Sequence, residues 1–485
     1  VEELVAFLNG LIWSKALIAL CLGAGLYFSI RTRFMQLRHV REMVRLMWRG
    51  PKSDAGVSSF QALTMSLTGR IGVGNIAGVA TAISFGGPGA VFWMWMSALL
   101  GASTSYVECT LAQLYKEKDK DGKYRGGPAY YIEKAMGWKP YALVFAIATV
   151  LSTGLLLPSI QANALAESVQ NAFGVDPRIT AALVVIALGS IIIGGVKRIA
   201  RFAEIVVPFM ALSYILVALG IMLVNIQQVP AIFALIFKSA FGADAAFGAV
   251  LGLAVEWGVK RGVYSNEAGQ GTGPHAAAAA EVSHPAKQGY VQAFAIYVDT
   301  LLVCSATAFM ILATGKYNVA HPDGHAIVEN LPGIGAGPAY TQAAIESIMP
   351  GFGASFVALA ITFFAFTTAV AYYYMAETNV QYLARNAAPS WLLMLLKLAV
   401  MASVAFGAAS VLYGEIRSAT LAWGMGDIGV GLMAWVNIIA ILIVHRPALL
   451  ALQDYERQKK LGHEPVFDPV KLGIRNATFW ERRDR

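Results

Sequence analysis

The residues that first invite a chemical reading are Thr68-Gly69-Arg70-Ile71-Gly72-Val73-Gly74-Asn75-Ile76-Ala77-Gly78, in the middle of an apolar run. Four glycines and an asparagine are poor material for a helix interior, where each Gly costs ~1 kcal/mol relative to Ala. Close packing against a neighbour is one reason a membrane helix tolerates them. The other is a broken helix, whose freed amides and carbonyls bind a carboxylate and a cation. The Gly-x-Gly-Asn order favours the break, because Asn75 puts a side-chain donor and acceptor at the gap. The string superficially resembles a dinucleotide-binding loop, but that needs a preceding strand in a βαβ unit, and none is available here.

A second interruption runs Trp257-Gly258-Val259-Lys260-Arg261-Gly262-Val263-Tyr264-Ser265-Asn266-Glu267-Ala268-Gly269-Gln270-Gly271. It shares Asn-x-Ala-Gly with the first. Lys260 and Arg261 place part of it in the cytoplasm, so Trp257 and Gly258 are expected nearer the midplane, with Ser265 to Gly271 as an inner gate or loop. Two broken helices in corresponding places of inverted halves point to a binding site midway through the bilayer. Phe364-Ala365-Phe366-Thr367-Thr368 brings two hydroxyls to mid-span. Hard cations take such oxygen donors; equally, Thr hydroxyls bond their own helix carbonyls. Arg70 within a span needs a partner or a watery cavity. Glu204, Glu267 and Glu377 are the candidates, and an inner-gate ion pair is expected. Asp299, Glu108 and Glu256 also sit at membrane depth, as proton carriers or as neutral structural groups.

The elements that position these residues follow from composition. Of 485 residues 57% are hydrophobic and 14% charged, against roughly 25% charged in soluble domains. The charges sit in short blocks between apolar runs of about 20 residues, each able to span a ~30 Å hydrocarbon core as a helix. Strands would alternate in polarity. Eleven spans are predicted: Leu11 to Ile30, Phe60 to Phe85, Ala90 to Tyr115, Tyr141 to Ala172, Ile179 to Gly195, Phe202 to Val224, an interrupted one from near Ala246, Tyr290 to Ala313, Ala354 to Tyr382, Trp391 to Leu412, and Ile428 to His445.

Basic residues orient the stack. The amphipathic connector Arg31 to Lys52, the loop Lys116 to Lys139, the group Lys197, Arg198 and Arg201, a fourth around Lys260, Arg261 and Lys287, and the tail from Arg446 all fall on one side. The other side holds only Arg178, Lys238, Lys316 and Arg417. The rich side is therefore expected in the cytoplasm, the amino terminus outside and the carboxyl tail inside. The same placement accounts for the net charge of +8 without nucleic acid. Val1 does not begin a signal peptide, since the first apolar run lacks a small-residue cleavage site. Gly86 to Met96 reads as a tight turn into an interfacial Trp pair. The long loop Gly315 to Pro350, with His321-Pro322-Asp323-Gly324, is a candidate outer lid. Cys21, Cys109 and Cys304 read as small buried hydrophobes. No His-Glu-x-x-His, no Gly-x-Ser-x-Gly elbow and no Asp/His cluster at membrane depth suggests an enzyme.

Gly86 to Gly101 resembles the signature of the alanine-or-glycine:cation symporter family. Gly72 to Gly78, Gly126-Gly127-Pro128-Ala129-Tyr130-Tyr131 and Ser265 to Gly271 are similar to its other recurring strings. The likeness covers nearly the whole chain. It implies an all-α polytopic membrane protein of the amino acid–polyamine–cation superfamily, with a leucine-transporter-like 5+5 inverted repeat and one extra N-terminal helix. The expected division is the extra helix over 1–30, a basic connector over 31–59, repeats over 60–224 and 246–445, and a cytoplasmic tail over 446–485. The fold likeness also implies a sodium ion held by the carbonyls of Thr68, Ile71 and Phe364 and the hydroxyls of Thr367 and Thr368. The substrate carboxylate would meet amides around Gly72 to Gly74, with Asn75 beside it. Arg70 stands where leucine transporters have a small residue, which speaks against a second sodium site there. The implied function is sodium-coupled uptake of alanine or glycine across the cell membrane by alternating access. The alternative within the same fold is a proton-coupled or exchanging carrier using Glu256 or Asp299.

Overall fold

The computed structural model describes residues 2–48, 56–244, 247–321, 323 and 325–481. Lys52 and the rest of 49–55, Ala246, Pro322, Gly324 and the last four tail residues lie outside the described residues, as does the side chain of Arg417. The described residues are mostly helical, with two short antiparallel hairpins among them, Glu117–Lys118 with Tyr124–Arg125 and Asn318–Ala320 with Ala326–Glu329.

Seven described helical segments are long and apolar enough to cross a membrane: Glu2–Arg31, Lys139–Phe173, Gly195–Val224, Ala286–Thr314, Gly353–Leu383, Ser390–Ser410 and Leu421–Val444. Their outer surface is what lipid requires. On Gly195–Val224 the exposed residues Ile205, Phe209, Leu212, Leu216, Leu219 and Leu223 recur at spacings of four and three, forming an exposed apolar stripe. Such a stripe on a soluble surface would aggregate; in a bilayer it faces acyl chains. The first segment is longer than the apolar run alone suggested, because Glu2–Ile12 and Lys15–Arg31 meet at Trp13, whose indole N–H bonds the Asp427 carbonyl at 2.7 Å.

The two interrupted segments are Ser59–Arg70 with Ala77–Gly86, and Leu251–Asn266 with Gly273–Ala279. Ser58 starts the first of these: its hydroxyl accepts the Gln61 N–H at 3.1 Å, and the Gln61 side chain returns the bond. Gly89–Leu114 runs through the centre, packed on Leu251–Asn266, Ala286–Ile296 and Gly273–Ala279. Beside them Lys139–Phe173 packs on Gly353–Leu383 and Ser390–Ser410. The bases of the two interrupted segments are joined directly. The Val57 N–H bonds the Ala279 carbonyl and the Glu281 N–H bonds the Val57 carbonyl, both at 3.0 Å. The loop carrying Lys116 and Tyr124 lies on that same side, and the Lys116 ammonium bonds the Ala280 carbonyl at 2.7 Å. The carboxyl-terminal helix Arg446–Lys460 and the residues after it cover this face, with the Trp480 indole donating to the Gln113 carbonyl at 2.8 Å.

Candidate functional site

Winding in the first interrupted segment stops at Arg70 and resumes at Ala77, with a single 3-10 turn over Val73–Asn75. The expected break is therefore present, and its polar groups have specific partners. The Gly72 N–H donates to the Asn75 side-chain carbonyl at 2.9 Å, and the Val73 N–H to Oε1 of Gln161 at 3.1 Å. The backbone can approach its neighbours only because the side chains are missing. A Cβ on Gly72 would lie 2.6 Å from the Thr368 hydroxyl, and one on Gly74 2.9 Å from the Tyr264 ring.

The second break is at 267–272, between Asn266 and Gly273. Glu267, Gly269 and Gly271 all have positive φ there, at 59°, 81° and 85°. Gly supplies that conformation without a Cβ penalty. Glu108, in the last third of Gly89–Leu114, accepts the Gly269 N–H at 3.2 Å, while the Asn437 amide bridges the Glu108 carboxylate at 2.7 Å and the Gly269 carbonyl at 2.9 Å. The structural role that was one option for Glu108 is thus visible in its contacts.

Asp299 ties the two interrupted segments together. Its carboxylate accepts the Asn75 amide at 2.6 Å from the first and the Ser265 hydroxyl at 2.9 Å from the second, with Thr300 adding a bond at 2.7 Å. No cation contacts it among the described residues, and it is fully buried. Buried carboxylates are costly unless fully bonded, so three donors converging on one carboxylate at the junction mark a built polar centre.

The cation-ligand candidates are all buried and partly gathered. The Thr368 hydroxyl lies 3.4 Å from the Ile71 carbonyl and 2.8 Å from the Phe364 carbonyl, so three of the five residues meet across two helices. The Thr367 hydroxyl reaches the Phe364 carbonyl at 3.0 Å and otherwise faces the Met210 sulfur. Thr68 sits one turn before the break, its hydroxyl bonded to the Met65 carbonyl at 2.5 Å. Both Thr hydroxyls bond a carbonyl of their own helix, and Thr368 also faces the break in the first interrupted segment.

The gate candidates divide. Arg70 is buried and donates to the Gln292 carbonyl at 3.1 Å and the Ser105 hydroxyl at 3.2 Å, not to a carboxylate. Of the expected partners, Glu204 takes the Gln61 amide at 3.0 Å and Glu377 takes Arg125 at 2.7 Å. Glu267 lies against the first segment, its carboxylate 3.2 Å from where a Gly69 Cβ would stand, without a direct ion pair to Arg70.

Trp257 and Gly258 do not reach the second break. Gly258 is a helix-packing position: a Cβ there would sit 2.5 Å from the Ala90 carbonyl oxygen. Trp257 stacks on Phe85 at 4.7 Å and lines a cavity of about 700 Å³ on the face opposite the basic loops. The misplacement came from Lys260 and Arg261, taken as cytoplasmic markers. Both are buried and held by Asp427 of the last long helix. Arg261 is bidentate at 2.9 and 2.8 Å, and Lys260 bonds at 2.9 Å. They are buried and share one carboxylate inside the protein rather than standing in solvent, so they do not mark the side of the membrane. Arg261 also lies 4.5 Å over the Trp423 ring and 5.7 Å over Tyr264, forming the floor of the cavity directly above the ring that touches Gly74.

Sequence reasoning missed Gln161 and Tyr264. Gln161 lies, with Asn163 close by, in a long apolar helix, and its Nε2 reaches the Tyr264 hydroxyl at 3.5 Å. A Gln in such a run is itself a signal of a polar interior.

A family model described as the sodium:alanine symporter family matches residues 1–469. A sodium/proton-dependent alanine carrier protein of Bacillus sp. (strain PS3) is 55% identical over 90% of this chain and 97% of its own length. The sodium/alanine symporter AgcS of Methanococcus maripaludis is 36% identical over 91% of this chain and 94% of its own. Among solved structures, a histidine-to-alanine variant of the Eremococcus coleocola manganese transporter superposes with a TM-score of 0.52 at 13% identity, over 86% of this chain and 90% of that one. At that identity the likeness is one of fold, the leucine-transporter-like arrangement.

Proposed function

This chain belongs to the sodium:alanine symporter family, a family of multi-pass membrane carriers rather than enzymes, and from that premise we propose that it carries L-alanine and glycine into the cell with sodium. The observation that supports the reading is the junction itself: two helices unwound side by side, tied by Asp299 and lined by backbone dipoles, Asn75, Gln161 and Tyr264. The carboxylate of a zwitterion fits the amides at Gly72, Val73 and Gly74, displacing the Gln161 carbonyl from Val73. Sodium takes the oxygen set of Thr68, Ile71, Phe364, Thr367 and Thr368, because it joins the first unwound segment to the helix Gly353–Leu383. A filled cation site would then hold the pocket in shape for the amino acid, which is coupling in its simplest form.

The proposed topology has eleven crossings, an outside amino terminus and a cytoplasmic tail, with repeats over 60–224 and 246–445. The 700 Å³ cavity is then the outer vestibule, with the Arg261–Asp427 pair as its floor. Since the amino acid is neutral overall, the ion supplies the transported charge, worth ~2.3 kcal/mol per 100 mV, or about 40-fold accumulation. Alanine uptake into proteoliposomes under an inward sodium gradient, against the same voltage without sodium, tests this. Equal uptake in the two arms would rule out sodium as the driving ion.

A proton-coupled variant has one specific observation in its favour. Asp299 is a carboxylate without a cation at the junction of both unwound segments, and the PS3 relative is named for both ions. Alanine uptake driven by a pH gradient in sodium-free medium would favour it.

A further inference from the structure

Away from the junction, a cavity of about 400 Å³ opens where the first long segment ends, lined among others by Arg31, Arg33, Leu452, Arg457, Lys460 and Leu461. Its walls come from two places that arrive at the same depth. Arg31 is the last residue of the apolar segment Glu2–Arg31, and helix Arg446–Lys460 begins two residues after Val444 ends the last one. The cavity therefore lies at headgroup level, where a spanning helix leaves hydrocarbon.

Its charge is not balanced from within. Glu456 is the one carboxylate in the lining, and it is already bonded to Arg38 at 3.2 Å and His39 at 2.9 Å. Arg457 is held by Asp454 at 2.5 Å. Arg33 and Lys460 make no ion pair with a described carboxylate, and the Arg31 guanidinium rests over the Tyr27 ring at 5.7 Å. Arg33 is also presented by a strained turn: it and Phe34 are consecutive non-glycine residues at φ 56° and 54°. Such residues cost of order 1 kcal/mol each and persist when their surroundings hold them. Here Arg38 holds the turn, donating to the Arg33 carbonyl at 2.6 Å and the Thr32 carbonyl at 3.1 Å. The turn leaves Phe34 and Leu37 exposed beside the cavity, and Leu461 is exposed at its other rim. Unpaired cations within and bare apolar side chains at the rim match one ligand chemistry: a phosphate that carries acyl chains.

We propose that this cavity binds the headgroup of an anionic phospholipid, with Arg31, Arg33 and Lys460 on the phosphate and the acyl chains running along Phe34, Leu37 and Leu461. Its occupant would then bridge the first spanning helix to the carboxyl-terminal surface helix. The test uses the purified full-length protein in detergent and follows thermal unfolding with added phosphatidylglycerol, with phosphatidylcholine, and with glycerol 3-phosphate. Phosphatidylglycerol is expected to raise the midpoint above phosphatidylcholine, and glycerol 3-phosphate to leave it unchanged. Arg33→Gln with Lys460→Gln should lose most of that excess, while Arg198→Gln with Arg201→Gln, removing the same charge at another basic turn, should keep it. If the first pair is not recovered folded, Lys460→Gln alone, on the exposed last turn of its helix, should reduce the excess. An undiminished excess in these variants overturns the site, and an equal shift with glycerol 3-phosphate overturns the lipid as its ligand.

Discussion

At the scale of single residues, the two threonines of Gly353–Leu383 are not equivalent. Thr368 faces the Ile71 carbonyl across the break, whereas Thr367 faces Met210. Thr368→Ala should therefore raise the sodium needed for half-maximal alanine uptake by roughly tenfold, the weight of one oxygen bonded to a charge, and Thr367→Ala by less. Equal sodium curves for wild type and Thr368→Ala would remove this residue from the ion site. Asp299 makes a second case. Asp299→Asn keeps the shape but turns one acceptor oxygen into a donor facing the Asn75 amide, itself a donor. Loss of alanine binding with normal insertion in the membrane is expected, read by isothermal titration; retained binding would show that the tie is dispensable. Much of this was legible in advance. Glycines flanking an asparagine in an apolar run announce a break, and adjacent hydroxyls at mid-span announce oxygen donors. Trp257 and Gly258 were misplaced because Lys260 and Arg261 were taken as solvated. Their shared partner, Asp427, lies 166 residues beyond Arg261, a distance over which sequence pattern carries no information.

At the scale of elements, the second break depends on backbone that only glycine adopts easily. Gly271 combines φ of 85° with no room: an added Cβ would lie 2.7 Å from the Pro128 ring and 2.8 Å from Phe145. Gly271→Ala should cost ~1–3 kcal/mol, measured as a lowered unfolding midpoint; an unchanged midpoint would mean the break relaxes freely. The carboxyl-terminal helix docks through a different device. The His284 ring accepts the Ala286 N–H at Nδ1 and donates from Nε2 to Asp454 at 3.3 Å, a pattern that requires the neutral ring. Burial pushes the His284 pKa below its ordinary 6.5, aided by the nearby Lys287. The His284 N–H, with Arg457 and Gln458, holds Asp454 at about 2 instead of 3.8. The signs agree. The His284 contribution is complete above pH 6.5 and is lost as pH falls from there towards the lower folded value. The Asp454 contribution is complete above 3.8 and is lost as pH falls towards 2. Docking should accordingly begin to loosen below pH 6.5, seen as a change in fluorescence of Trp480, which is buried against Gln113. A flat signal between pH 7 and 5 would contradict it. The sequence showed only a charged tail here, since its partners, among them Glu42, Gln113 and His284, come from distant parts of the chain.

At the scale of the whole molecule, the vestibule floor is one carboxylate serving two cations from another helix. Asp427→Asn leaves Lys260 and Arg261 buried without a counter-charge, and breaking such a pair typically costs ~3–5 kcal/mol. Lower thermal stability and lost uptake are expected together; stability equal to wild type would show that water reaches the pair and that it is not a closed floor. The overall arrangement was largely readable from apolar runs and charge blocks, because lipid allows few alternatives to helices. The pairing of elements across the bundle was not, since it is settled by single polar contacts such as Gln161 with Val73.

The backbone seam between Val57 and 279–281 carries a mechanical consequence. Two amide bonds rivet the feet of the helices that bear the unwound turns, so one foot cannot swing while its companion stays. Any motion that uncovers the pocket from below must carry both feet as a single lever, pivoting where the chain has already surrendered its coil.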